Sequence, residues 1–65
     1  MKVSDVIRLL EDDGWSFTRQ RGSHRQFHHR NKGGCVTVPG HLGDEVPLGT
    51  LASILKQAGI RRPGR

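Results

Sequence analysis

Trp15-Ser16-Phe17-Thr18-Arg19-Gln20-Arg21-Gly22-Ser23-His24-Arg25-Gln26-Phe27-His28-His29-Arg30 decides the fold. Trp15, Phe17 and Arg19 alternate with Ser16, Thr18 and Gln20, the period of a half-buried strand, and a second strand runs from about His24 to Arg30. Gly22-Ser23 between them marks a hairpin turn. Polarity then selects a register. A two-residue turn at Gly22-Ser23 opposes Arg21 to His24 and Phe17 to His28, which leaves Phe27 on the other face from Trp15 and Phe17. An odd loop, Arg21-Gly22-Ser23, opposes Phe17 to Phe27 and gathers Trp15, Phe17, Phe27, Val36 and Val38 on one face, with Gly22 supplying the positive φ such a loop requires. The odd loop is therefore expected. The open face then carries Ser16, Thr18, Gln20, Gln26, His28 and Thr37, with His24 at its edge beside the turn.

Outward from the hairpin, Asn31-Lys32-Gly33-Gly34 reads as a turn into a third strand, Cys35 to Val38. Upstream, Val3, Val6, Ile7 and Leu10 fall on one face of a helix, with Ser4 placed as N-cap, Asp5 in the first turn and Gly14 at C′. Downstream, Pro39-Gly40-His41-Leu42-Gly43 reads as a loop. Leu51, Ile54, Leu55 and Ala58 again have helical spacing, closed by Gly59 with Ile60 placed for a Schellman contact. The predicted order is α-β-β-β-α, an α+β fold with two helices on one face of a three-stranded antiparallel sheet. One domain over residues 1–60 is expected, followed by a basic, disordered tail at 61–65.

The chain has 65 residues, 32% of them hydrophobic, and one cysteine. Such a length allows a single small core of thin stability margin. Cys35 alone can build neither an internal disulfide nor a four-cysteine zinc site, which fits a reducing cytosol. The apolar clusters Val6-Ile7 and Leu9-Leu10 are far shorter than the run of about 20 residues a membrane helix needs, and the N-terminus has no signal-peptide core. A cytoplasmic protein is expected. Eleven Lys and Arg stand against six Asp and Glu, a formal net charge of +5. An excess this large on so small a surface points to a polyanion partner.

The charge is not spread evenly. Arg19, Arg21, Arg25, Arg30 and Lys32 cluster on or near the hairpin, and Trp15 to Leu42 contains no acidic residue. A run of cations can be a solvated face; the missing acids favour a surface that tracks a nucleic-acid backbone. Among these cations sits His24, beside a glycine turn, with an imidazole whose ordinary pKa of about 6.5 suits proton transfer near neutrality. Spacing alone favours an ordinary surface histidine on a hairpin. Adjacent His28 and His29 point to opposite faces of a strand, and no metal-ligand spacing occurs, so no metal site is expected. Trp15, Phe17 and Phe27 could stack bases, but the sheet needs them for a core.

Three stretches together resemble the HicA toxin family of bacterial and archaeal toxin–antitoxin systems. They are Gly22-Ser23-His24-Arg25-Gln26-Phe27, Val36-Thr37-Val38-Pro39-Gly40-His41, and Leu48-Gly49-Thr50-Leu51 continuing through Ile54-Leu55-Lys56-Gln57-Ala58-Gly59-Ile60. The resemblance implies a double-stranded-RNA-binding-domain-like fold, cleavage of mRNA with one essential histidine, neutralisation by a HicB antitoxin, and no small-molecule cofactor. Carried onto this chain, the catalytic histidine is His24, with Gly22 and Ser23 its small neighbours. RNA contacts are expected from Gly22, Ser23, Arg19, Arg21, Arg25 and Lys32. The acid–base partner of His24 stays open between His28, His41 and none, and Arg25 or Lys32 could stabilise charge. The competing function is a non-catalytic module of the double-stranded-RNA-binding type. The tail Arg61-Arg62-Pro63-Gly64-Arg65 has no counterpart in the family pattern.

Overall fold

The computed structural model describes residues 1–61. Helix α1 spans Val3–Asp12, strands β1, β2 and β3 span Trp15–Arg21, His24–His29 and Cys35–Val38, and helix α2 spans Leu48–Ala58. The strands form one antiparallel sheet in the order β1-β2-β3. Both helices lie on the same side of it, and Val3, Val6, Leu10, Trp15, Phe27, Val36, Val38, Leu51, Ile54, Leu55 and Ala58 form one core between the layers. The expected fold class is the observed one. Val46, outside any periodic segment, is buried as well. Among the described residues no helix is long and apolar enough to cross a membrane. Of the tail, Arg61 is exposed, and residues 62–65 lie outside the described residues.

Helix α1 begins two residues earlier than the spacing predicts. Lys2, not Ser4, is the N-cap, and the Asp5 carboxylate accepts the Lys2 N–H at 2.9 Å. The reason is a strand-like contact that periodicity cannot reveal: Val3 N–H donates to Asp44 O at 2.9 Å and Ser4 N–H to Leu42 O at 3.1 Å. Amides that a helix start leaves without partners are thus satisfied by the loop before α2. Helix α2 ends as expected, with Gly59 left-handed at φ +68° and Ile60 N–H on Leu55 O at 3.0 Å, the Schellman pattern.

The hairpin register corrects one expectation and keeps another. Phe17 does oppose Phe27, but Arg21 opposes His24 across a two-residue turn, and the slack of one residue is a β-bulge at Thr18. The turn explains the choice: Gly22 takes φ +60° while Ser23 keeps a negative φ, the pattern of a type II′ turn, whose twist suits a hairpin. The bulge absorbs the odd residue, and the Thr18 hydroxyl donates to Gln26 O at 3.0 Å across it. Phe17 also departs from the predicted core. Its ring meets Phe27 edge-on at 6.0 Å but stays 51% exposed, since α1 packs at the start of β1, around Trp15, and α2 over β3.

Candidate active site on the first hairpin

Beyond Trp15, every residue of β1 is exposed, so the hairpin projects from the two-layered body. The bulge decides which side chains share its open face. Directly paired residues of an antiparallel ladder lie on one side of the sheet. Phe17, Phe27 and Val36 mark the core side. The opposite side therefore carries Ser16, His28 and Cys35 in one row, Arg19, Gln26 and Thr37 in the next, and Arg21 with His24 at the tip. Gln20, predicted on this face, instead pairs with Arg25 on the helix side. With the slack at Thr18 rather than in the turn, Arg19 and Arg21 rotate onto the face of His24. A polar face becomes a basic one.

His24 is exposed and opposite Arg21, and among the described residues its ring has no hydrogen-bond partner. Gly22 and Ser23 form the turn beside it, steadied by the Gln20 amide donating to Gly22 O at 2.8 Å. A Cβ on Gly22 would meet nothing within 4 Å, so its backbone conformation, not crowding, calls for glycine. No carboxylate occurs anywhere on the three strands. An anion laid along this face meets guanidinium and imidazole groups without repulsion.

Two predicted RNA-binding cations are placed elsewhere. Arg25 faces the helix side, half-buried, and donates from Nη1 to Gly40 O at 2.9 Å, tying the loop after β3 to the hairpin. Lys32 lies past the far end of β2. Its ammonium donates to Asp13 Oδ2 at 2.6 Å and to Ala58 O at 3.0 Å, joining the ends of the two helices. Asp13 also accepts from Trp15 Nε1 at 3.2 Å. The Lys32 hydrogen bond and charge hold the Asp13 carboxyl below its ordinary value of 3.8.

The remaining histidines separate by role. His29 points to the helix side, packs edge-on against Trp15 at 5.2 Å, and meets Asp13 O through Nε2 at 2.6 Å. Its Nδ1 accepts the Asn31 and Lys32 amides at 3.0 and 3.2 Å. His41 is exposed in a turn closed by its own N–H on Asp44 Oδ2 at 3.1 Å and by Asp44 N–H on its carbonyl at 2.9 Å. His28 shares the face of His24, four residues along the strand, or about 13 Å at the usual rise. That separation exceeds the roughly 3 Å reach of hydrogen bonding around one reacting phosphate.

The family model described as the HicA toxin of bacterial toxin–antitoxin matches residues 3–60. The chain belongs to the HicA toxin family. The match runs from the first residue of α1 to Ile60, so it takes in the hairpin, the Gly40–Asp44 turn and both helices. No curated protein matches the chain. What the sequence reading missed on the HicA hairpin is Thr18 and its consequence for Arg19 and Arg21. The available signal was Gly22-Ser23, which reads as a two-residue type II′ turn if turn chemistry is weighed before polarity.

Proposed function

We propose that this HicA-family toxin is a metal-independent endoribonuclease that acts on mRNA in the cytoplasm, with His24 as its essential acid–base group and a HicB antitoxin as its neutraliser. The observation that carries the reading is an exposed, unengaged imidazole facing Arg21, on a sheet face without acids. His24, neutral, takes the proton of an RNA 2′-hydroxyl; the freed oxygen attacks the adjacent phosphorus. The P–O5′ bond breaks, the leaving oxygen takes up a proton from water or from the imidazolium formed at His24, and the products end in a 2′,3′-cyclic phosphate and a 5′-hydroxyl. Arg21 and Arg19 would lie along the negative charge of the phosphodiester, where preorganised donors lower the barrier. The family supports the toxin role and, with it, an antitoxin partner. An acidic antitoxin surface laid over the hairpin would cover His24 and match Arg19 and Arg21 together.

The test is cleavage of a labelled single-stranded RNA in EDTA by the purified chain and by His24→Ala, with the 3′ ends analysed. Cutting by the parent alone, leaving cyclic phosphate, is the expected result. RNA binding by both proteins with cutting by neither would replace the ribonuclease with a non-catalytic RNA-binding module.

A further inference from the structure

Thr18 does more than fill the bulge. Its hydroxyl has one proton, and that proton goes to Gln26 O at 3.0 Å, because a carbonyl can only accept. His28 Nδ1 lies 3.2 Å from the same oxygen. The hydroxyl's proton being committed, Nδ1 must be the donor of that contact. The network thus assigns neutral His28 to the Nδ1–H tautomer and leaves a lone pair on Nε2. His28 is exposed and belongs to the open face, in the row next to Arg19 and Gln26. An imidazole aimed by a bulge residue, with its outer nitrogen free and accepting, is built to receive a hydrogen bond from whatever lies on the face.

We propose that His28 is a specificity contact for RNA, accepting at Nε2 a hydrogen bond from a nucleotide donor, either a ribose 2′-hydroxyl or an exocyclic amino group, and that Thr18 is the residue that positions it. The inference rests on RNA being the ligand of the open face, as in the function proposed above. The separation of about 13 Å along the strand keeps His28 off the phosphate at His24. It reads a neighbouring nucleotide instead, with Arg19 between the two histidines to hold the intervening backbone. Both donors are groups that distinguish RNA by sugar or by base, whereas the arginines respond to charge alone.

The experiment measures binding, not cutting, so that it stands apart from the ribonuclease reading. In a His24→Ala background, anisotropy of a fluorescent single-stranded RNA should show about tenfold weaker binding for His28→Ala and about threefold for Thr18→Val, the scale of one lost hydrogen bond and of its lost aim. His28→Gln, which can set an acceptor near the Nε2 position, should bind more tightly than His28→Asn. Thermal melting of each variant checks the fold. Two series of modified RNAs then locate the donor: single 2′-deoxy substitutions, and replacement of guanosine by inosine, adenosine by purine riboside and cytidine by 2-pyrimidinone riboside. One series should contain a substitution that weakens the His24→Ala chain but not the chain also carrying His28→Ala. Equal affinity with and without His28, Asn outperforming Gln, or no such substitution in either series would overturn the proposal. Binding that depends on His28, in a chain whose parent does not cut RNA, would leave the inference standing and sink the ribonuclease reading.

Discussion

The two ends of β2 use the same residue types in opposite ways. At the far end, His29, Lys32 and Asp13 bond to one another, to Trp15 and to the backbone at the end of α2. At the near end, His24, Arg19 and Arg21 stand exposed on the sheet face opposite the helices. A histidine whose two nitrogens both have backbone partners is a structural cross-link; one with neither is available for chemistry. Residue type says little about function here, and the saturation of its polar atoms says much.

The contrast is sharpest for the two histidines. His24→Ala should lower RNA cleavage by about 10²- to 10⁴-fold, the usual weight of a general acid–base group, with the melting temperature unmoved. His29→Ala should do the reverse. It strands the Asp13 carbonyl and the Asn31 and Lys32 amides, for a loss of about 1–3 kcal/mol, seen as a lower melting temperature with cleavage per folded molecule retained. A cleavage defect in His29→Ala at full folding would break the division.

The cations give the next comparison. Lys32→Ala should destabilise by about 1 kcal/mol and leave the salt dependence of RNA binding unchanged. Arg21→Ala should leave stability alone and reduce the slope of log affinity against log salt by about 1, as one phosphate contact is lost. If Lys32→Ala changed the slope instead, the corner would belong to the RNA surface.

The smallest effect is in the pH dependence. Asp13 has a folded pKa below its ordinary 3.8 because Lys32 donates to it. A depressed carboxyl contributes stability that is present above about pH 4 and lost as pH falls through the lowered value. Between about pH 5 and pH 2, therefore, the parent should lose more stability than Asp13→Asn, followed by Trp15 fluorescence in urea titrations. Parallel loss in both would mean that the ion pair adds nothing.

Much of this was legible in the sequence, and the exceptions have physical causes. The helices were readable because Val3, Val6 and Leu10, and Leu51, Ile54 and Leu55, keep a strict helical period. The opposition of Phe17 to Phe27 was readable from polarity. Where the odd residue sits was not readable from polarity, since a larger loop and a bulge at Thr18 bring the same aromatic pair together, and only the turn chemistry of Gly22-Ser23 separates them. That ambiguity hid the face of Arg19 and Arg21, half of the candidate site. Lys32 was misleading for another reason: in a turn it looks solvated, and its partners Asp13 and Ala58 are 19 and 26 positions away.

The Thr18 bulge has a bearing on what happens when the toxin is without its partner. Removing Thr18 would leave every cross-strand pair of the hairpin intact, because the residues on either side already pair with Phe27 and Gln26. The strand would then be regular and straight along an open edge, with a half-exposed Phe17 beside it. Edges of that kind recruit one another into extended sheets, and a kink beside Arg19 discourages it. The extra residue would therefore keep free molecules from sticking edge to edge, so that the chain stays dispersed until something of opposite charge takes hold of it.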